Sequence, residues 1–250
     1  MQRLLAKGVP VTLCTGRMYS GTRDLAHQLG LAAPIACIDG SHIVDSVTER
    51  ELTSAPISQS GAAALLSALA RHRPAAFVFS SDRVFHDSAG EPYLGYLSTW
   101  SELSQEVADV IEPGLWHDGQ RISALVALGT QAQILGSKQA LDSADGSLQS
   151  VCFEVHRHDF EGMWGMVVRA AGIDKGTAIE WIAEYYGVTL NDIVAVGDWL
   201  NDVPMLRRAG RSFAMAQAPS EVRAAATDLL NADAWTGGGI AEAAERAGLL

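Results

Sequence analysis

Short apolar runs recur along the chain, and each is bounded by glycine, proline or polar residues. Runs of this kind are typical of strands that are buried on both faces of a sheet. They predict strands over residues 9–14, 34–38, 75–80, 83–86, 122–128, 151–156, 164–168 and 193–197. Ser81 and Asp82 separate two of these runs and predict a hairpin.

Other segments place their apolar residues at helical spacing. They predict helices over residues 2–7, 18–29, 61–70 (with Ser58 as cap), 131–141 and from 175 onward, and a polar hairpin over 42–53. Alternating strands and helices in 1–56 and 161–250 indicate an α/β fold with a Rossmann-like parallel-sheet core. Helices and short antiparallel strands over 57–160 indicate an inserted α+β domain.

Composition narrows the class of protein. The 250 residues are 48% hydrophobic and 19% charged, which is typical of well-packed globular domains. The net charge of −11 argues against binding to nucleic acid or to acidic membranes. Three cysteines form no disulfide framework, so we expect a cytoplasmic protein without a signal peptide or membrane span. The oligomeric state remains open.

Residues 193–202, with the sequence IVAVGDWLND, form an apolar strand that runs into an acidic turn. Ligands of parallel sheets bind outside the carboxyl ends of the strands, where Asp198, Asn201 and Asp202 fall. Carboxylate and amide oxygens suit Mg²⁺ shared with a phosphate. The alternative is an acidic turn that caps the next helix, because Asp and Asn are good caps.

Two further segments point to phosphate chemistry. Residues 9–17, VPVTLCTGR, predict a strand over 9–14 that is followed by Thr15 and Gly16, which suit a phosphate oxygen and a close backbone approach. Residues 172–177, GIDKGT, place Lys175 at the start of a helix, where it can balance phosphate charge. Taken alone, Thr15 is better explained as a helix cap, and Lys175 as an ordinary solvated surface residue.

The ordered set T-G-R, K-G before a helix and G-D-x-x-N-D resembles the haloacid dehalogenase (HAD) superfamily, in particular its Cof-type branch with a large C2-type cap. Residues 213–222 and 237–242 are similar to the later strand and the closing turn of that family. The resemblance implies a core over 1–56 and 161–250 and a cap over 57–160. It also implies a Mg²⁺-dependent phosphatase of small phosphorylated metabolites, such as sugar phosphates or phosphorylated cofactors, acting through an aspartyl-phosphate.

The resemblance also implies individual roles. Asp198 would bind the metal, and Thr15 and Lys175 would be catalytic and hold phosphoryl oxygens. Gly16 and Asn201 would contact the phosphate, and Asp202 would orient Lys175. The residues that we consider for the inner face of the cap, each with packing or surface exposure as its alternative, are Trp116, His117, His156 and His158.

The family's first motif, a strand ending in D-x-D-G-T that carries the nucleophile, is not found: no D-x-D triplet occurs in the chain. The fourteen residues before Thr15 leave no room for such a strand and its crossover, which needs about a dozen residues. We therefore expect the natural polypeptide to start upstream and this chain alone to be nearly inactive, with a core that lacks its first central strand. The alternative is a non-catalytic phosphate-binding or regulatory relative.

Residues 34–41, PIACIDGS, superficially copy the missing motif, with Cys37 in the nucleophile's place. A thiolate nucleophile is chemically feasible. However, this segment follows the T-G-R motif, where the family has its third strand. We therefore interpret it as that strand, with Asp39 replacing the family's usual Asn. Cys14 and Cys152 are expected to be packing residues.

Overall fold

The computed structural model describes residues 1–80, 82–98, 100–101, 103–116, 121–144, 146–155 and 160–250. The chain forms two compact units. The first unit comprises Met1–Gly16, Arg23–Thr53 and Ile173–Leu250, and the second unit comprises Arg17–Thr22 and Ser54–Gly172.

The regular elements largely follow the predicted order. The helices are α1 (Gln2–Ala6), α2 (Arg23–Leu29), α3 (Gln59–His72), α4 (Leu94–Leu97), α5 (Gln131–Asp142), α6 (Lys175–Tyr186), α7 (Val203–Arg208), α8 (Ser220–Ala225) and α9 (Gly239–Arg246). The strands are β1 (Pro34–Cys37), β2 (His42–Asp45), β3 (Glu51–Ser54), β4 (Ala75–Ser80), β5 (Arg83–His86), β6 (Ser104–Glu106), β7 (Ile122–Gly129), β8 (Leu148–Glu154), β9 (Trp164–Ala170), β10 (Val194–Gly197), β11 (Arg211–Ala214) and β12 (Asp228–Leu229). Every helix in the described ranges is too short or too polar to cross a bilayer.

The first unit has a parallel sheet of order β10-β11-β12 and a second sheet of order β1-β2-β3. Apolar residues of α6, α7 and α8 pack on β10 and β11 in one buried cluster, which includes Ile179, Ala195 and Leu206. The predicted α/β class with a parallel-strand core is confirmed. In the described part of the chain, these two sheets are not joined to each other.

Residues 9–14 do not form the predicted strand. Only Cys14 pairs, in a parallel bridge with Ala36, whose N–H donates to the Leu13 carbonyl oxygen at 2.9 Å. The residues before Cys14 are half-buried or exposed, and Pro10 has no N–H to donate to a ladder. The prediction is wrong in extent because, among the described residues, this segment has a strand neighbour on one side only.

The predicted helix over 18–29 is shorter than expected and begins at Arg23. The preceding residues belong to the second unit. Met18 donates its N–H to the Trp100 carbonyl oxygen at 2.9 Å, and Ser20 donates its N–H to Asp82 Oδ1 at 3.0 Å. These long-range partners take up the backbone groups that an earlier helical turn would use.

The second unit is an α+β structure. Its sheet has the order β6-β5-β4-β7-β9-β8, and helices α3 and α5 pack against it through Leu65, Leu69 and Ile134. Ser58 caps α3 as predicted, because its Oγ accepts the Gly61 N–H at 3.1 Å. This cluster gives the second unit its own hydrophobic core.

The strand over 164–168 was predicted to return to the first unit at residue 161, and the structure corrects this boundary. β9 pairs with both β7 and β8, with Val167 opposite Val126 and Val151. Trp164 packs against the core of the second unit. The first unit therefore resumes only at Ile173. An apolar strand fits either sheet, so its pattern does not reveal its partners.

Candidate functional site

The three chemically suggestive segments meet in the first unit. The segment ending at Gly16 lies beside the start of α6, where the Cys14 thiol faces the Lys175 carbonyl oxygen at 4.0 Å. Lys175 in turn reaches the turn after β10 through Asp202. The convergence expected from the sequence is therefore present among the described residues.

Lys175 is the central cation of this site and is only 7% exposed. Its Nζ donates to Asp202 Oδ1 at 2.6 Å and lies 4.0 Å from Asp39 Oδ1. Asp174 caps α6 by accepting the Thr177 N–H at 2.8 Å, which fixes Lys175 at the first helical position. Lys175 is therefore buried and paired, which excludes the alternative of an ordinary surface lysine.

Asp202 holds the acidic turn together. Its Oδ2 accepts the N–H groups of Asp198 and Trp199, both at 2.9 Å, while Oδ1 binds Lys175. Gly197 makes this closure sterically feasible, since a Cβ there would stand 2.6 Å from the Asp202 Cβ. The turn and the lysine are thus joined by a single buried carboxylate.

Asp198 and Asn201 present their side chains differently. Asp198 is exposed, and its Oδ2 accepts a hydrogen bond from Gln217 Nε2 at 3.1 Å. Asn201 is half-buried and donates from Nδ2 to Asp39 Oδ1 at 2.7 Å. Of the polar side chains in the turn, Asp198 is therefore the one that solvent can reach most easily.

Asp39 is a member of the site that the sequence analysis did not include. Its N–H donates to the Thr15 carbonyl oxygen at 2.8 Å, and its backbone adopts the left-handed conformation, with φ of 52°. A Cβ at Gly16 would lie 3.5 Å from Asp39 Oδ1 and 3.6 Å from Asn201 Nδ2. The position of Asp39, at the end of a strand next to the T-G-R segment, was the available signal.

Gln217 was also missed, although it lies in a segment already noted for its family likeness. Its Oε1 accepts the Ala234 N–H at 3.1 Å, so the amide links Asp198 to the loop before α9. The residue lies just beyond the carboxyl end of β11, at the edge of the sheet where ligands bind. Trp199, which follows Asp198 in the chain, is 60% exposed, and Trp235, which follows Ala234, is 88% exposed.

The structure places Thr15 and Gly16 at this site through their backbone. Thr15 donates its N–H to the Ala36 carbonyl oxygen at 2.8 Å and accepts the Asp39 N–H through its own carbonyl oxygen. The phosphate-binding roles assigned to both residues remain predictions. Arg17, the next residue, belongs to the second unit.

The cysteine positions argue against a thiolate nucleophile. Cys37 is fully buried in β1, where no substrate can reach its sulfur. Burial raises the pKa of the Cys14 thiol to about 12, although Lys175 lowers it somewhat. Cys14 and Cys152 pack against hydrophobic clusters, as predicted.

The residues present supply only part of a metal site. Within the described ranges, no group of three or more His, Cys, Asp or Glu side chains is arranged to hold a metal ion. Both Asp202 oxygens already bind the lysine and the turn. Asp198 fits as a single carboxylate ligand, which is enough for Mg²⁺ only if phosphate and water oxygens complete its shell.

Of the residues considered for the cap interior, Trp116 packs against the core of the second unit and donates from Nε1 to the Val110 carbonyl oxygen at 2.7 Å. The packing interpretation of Trp116 is therefore the correct one. The three histidines proposed with it, at positions 117, 156 and 158, lie outside the described residues.

Comparison with known proteins gives consistent matches. A family model described as haloacid dehalogenase-like hydrolase matches residues 1–243. A phosphoglycolate phosphatase of Natronomonas pharaonis is 41% identical over 80 residues, which are 32% of this chain and 34% of that protein. A pyridoxal phosphate phosphatase of Escherichia coli is 24% identical over 236 residues, which are 92% of this chain and 84% of that protein.

Among solved structures, a haloacid dehalogenase-like hydrolase from Bacteroides thetaiotaomicron superposes with a TM-score of 0.81 at 20% identity. The superposition covers 98% of this chain and 90% of that one. At this identity the likeness establishes the fold alone. The match to the Natronomonas protein spans only about a third of its length, so the activities of these relatives do not transfer directly.

Proposed function

Because the chain belongs to the haloacid dehalogenase-like hydrolases, we propose that it is a Mg²⁺-dependent phosphatase of small phosphorylated metabolites, such as sugar phosphates or phosphorylated cofactors. The observation that carries the proposal is the buried Lys175, held 2.6 Å from Asp202 beside the carboxyl end of β10. The names of two relatives, which act on phosphoglycolate and pyridoxal phosphate, support the substrate class.

The geometry supports a phosphate subsite at this lysine. The Lys175 ammonium is a compact positive charge with several donors, suited to non-bridging phosphoryl oxygens. Asn201 adds an amide donor, and Gly16 leaves the backbone open beside it. The Thr15 hydroxyl is proposed as a further donor. Burial strengthens each of these interactions, because water competes with them less effectively.

Asp198 is the proposed metal ligand. Its carboxylate is exposed at the end of β10, and it is oriented by Gln217. Mg²⁺ bound there would complete its shell with water and substrate oxygens and would neutralise negative charge on the phosphoryl group. Asp202 would act indirectly by keeping Lys175 and the turn in place.

In the family that the chain resembles, the aspartyl-phosphate forms on the first aspartate of a D-x-D motif, and no D-x-D triplet occurs in these 250 residues. We therefore propose that these 250 residues alone turn over substrate negligibly and that a longer form with an upstream D-x-D-G-T strand is active. The second candidate function is that of a non-catalytic phosphate-binding relative. The missing D-x-D motif favours it, and so does the incomplete set of metal ligands among the described residues.

The second unit is proposed to be the substrate-selecting cap, in accordance with the family resemblance. Its separate hydrophobic core is compatible with an independent domain. We also propose that the protein acts in the cytoplasm, where its three cysteines would remain reduced. The substrate itself requires a screen, because fold does not determine it.

The deciding experiment measures phosphate release from an aryl phosphate with Mg²⁺, first by this chain and then by the longer form. We expect turnover only from the longer form, and a loss of about 100- to 1,000-fold on Asp198→Ala. Asp24→Asn, an exposed residue of α2, serves as the charge-matched control and should leave the rate unchanged.

Two results would change the proposal. A longer form that binds phosphate but fails to hydrolyse any member of a panel of phosphate esters would favour the non-catalytic relative. Turnover by the 250-residue chain that Cys37→Ser abolishes would make Cys37 the nucleophile despite its burial.

A further inference from the structure

Lys175 lies near two buried carboxylates, those of Asp202 and Asp39. Asp202 uses both oxygens, one on Lys175 and the other on two backbone N–H groups. The second carboxylate is that of Asp39, whose Oδ1 lies 2.7 Å from Asn201 Nδ2 and 4.0 Å from Lys175 Nζ. Thus one carboxylate oxygen faces both groups proposed to bind phosphate.

The charges at this point do not favour an incoming anion. One buried ammonium faces two carboxylates, each no more than about a tenth exposed, so the formal charge of the three groups is −1. Charges at such separations interact strongly where water is excluded. A free phosphate must therefore displace Asp39 from Asn201 and approach Lys175 against an uncompensated negative charge.

The backbone keeps this carboxylate in place. Asp39 and its neighbour Ile38 both have positive φ, of 52° and 50°. The Asp39 N–H is bound to the Thr15 carbonyl oxygen at 2.8 Å. Among residues other than glycine, Asp and Asn tolerate this conformation best. An asparagine here would keep the shape and the acceptor for Asn201, but it would remove the charge.

We propose that Asp39 is a specificity-determining residue that lowers the affinity of the site for free phosphate by occupying Lys175 and Asn201. The inference rests on the proposed phosphate site and adds to it a built-in competitor for the anion. Neutralising the Asp39 carboxylate is therefore expected to strengthen phosphate binding. If Asp39 only supported the structure of the site, the same change would weaken binding.

The test is calorimetric titration of inorganic phosphate into the 250-residue protein without divalent cations. Asp39→Asn should bind phosphate about tenfold or more tightly than the unmodified chain. Asp39→Gly, which also accepts positive φ, should shift the affinity in the same direction. Asp24→Asn is the charge-matched surface control, and Lys175→Met should abolish binding in either background. Circular dichroism verifies folding.

The outcomes separate the inference from the proposed function. Equal or weaker binding by Asp39→Asn, with binding still dependent on Lys175, overturns the role of Asp39 and leaves the phosphate site intact. Failure of every variant to bind phosphate overturns both. Unfolding of both Asp39→Asn and Asp39→Gly would identify the carboxylate as a structural requirement and would equally overturn the inference.

Discussion

The first unit contains two ionic clusters that have similar contact distances but differ in burial, one almost fully buried and the other partly exposed. At the site, Lys175 Nζ lies 2.6 Å from Asp202 Oδ1, and both side chains are almost fully buried. Near the C-terminus, Arg246 Nη2 lies 2.8 Å from Asp228 Oδ1, with the arginine and aspartate side chains 36% and 24% exposed. Contact distance alone therefore does not distinguish them.

Their surroundings do distinguish them. Arg211 and Arg246 both lie over the ring of Phe213, at 5.0 and 5.3 Å from its centroid, so the exposed cluster covers apolar surface. Exposed ion pairs contribute little to stability. Buried charges cost solvation free energy that their pairing only partly offsets. We therefore expect the buried cluster to have a functional role and the exposed cluster to have none.

The largest difference is expected in catalysis. In the proposed longer form, Lys175→Met should reduce turnover of an aryl phosphate by about 100- to 1,000-fold, because the proposed buried donor to the phosphoryl group is lost. Arg246→Met, the matched change in the exposed cluster, should leave the rate within about twofold. Comparable losses in both variants would remove the functional distinction between the clusters.

The next effect concerns stability. Asp202→Ala should lower the free energy of unfolding by about 3–5 kcal/mol, because it removes one partner of a buried ion pair. It also leaves two turn N–H groups without their acceptor. Urea unfolding monitored by circular dichroism measures the change. Asp228→Ala should cost much less, and an equal cost would contradict the contrast in burial.

A smaller effect is expected where the acidic turn requires a glycine. Gly197→Ala should cost about 1–3 kcal/mol, because the new Cβ would stand 2.6 Å from the Asp202 Cβ. Gly95→Ala in α4 provides the control. A Cβ added there would meet no heavy atom of the described residues within 4 Å, so the change should be neutral or stabilising. Thermal unfolding of both variants measures these changes. A Gly197→Ala variant as stable as the unmodified chain would refute the prediction.

The smallest effect is a pH dependence of stability at the exposed cluster. The hydrogen bond from Arg211 holds the pKa of Asp228 below its ordinary value of 3.8. The stabilisation it provides is therefore complete above that value and is lost as the pH falls through the lower, folded-state pKa. The stability difference between the unmodified chain and Asp228→Asn should shrink below about pH 4. A difference that grows in acid would contradict the assignment.

Much of this fold follows from the local pattern of residues. The run over 75–80 and the helix capped by Ser58 are where the sequence places them, because burial and capping act over a few positions. The pattern could not show that β9 joins the second unit. It also could not show that residues 18–22 bind Trp100 and Asp82 rather than extend α2. These outcomes depend on partners that are distant in sequence.

Some residues of the candidate site could likewise be predicted from the local pattern, whereas others depend on partners distant in sequence. The residues that follow strands as recognisable turns, such as Asp198 and Lys175, could be identified from order and residue type. Asp39 and Gln217 also follow strands, but the side-chain contacts that bring them into the site, 2.7 Å to Asn201 and 3.1 Å to Asp198, are made across the fold and could not be predicted from the local pattern. Sequence separation hides such contacts until the strands are placed.

The most direct test is a crystal of the protein with Mg²⁺ and tungstate, a heavy phosphate analogue whose anomalous signal locates the anion. We predict a tungsten peak close enough to Lys175 Nζ for a tungstate oxygen to accept a hydrogen bond from it, and no such peak in Lys175→Met. A peak remote from Lys175, or an unchanged peak in the variant, would contradict the claim that the three segments form a phosphate site.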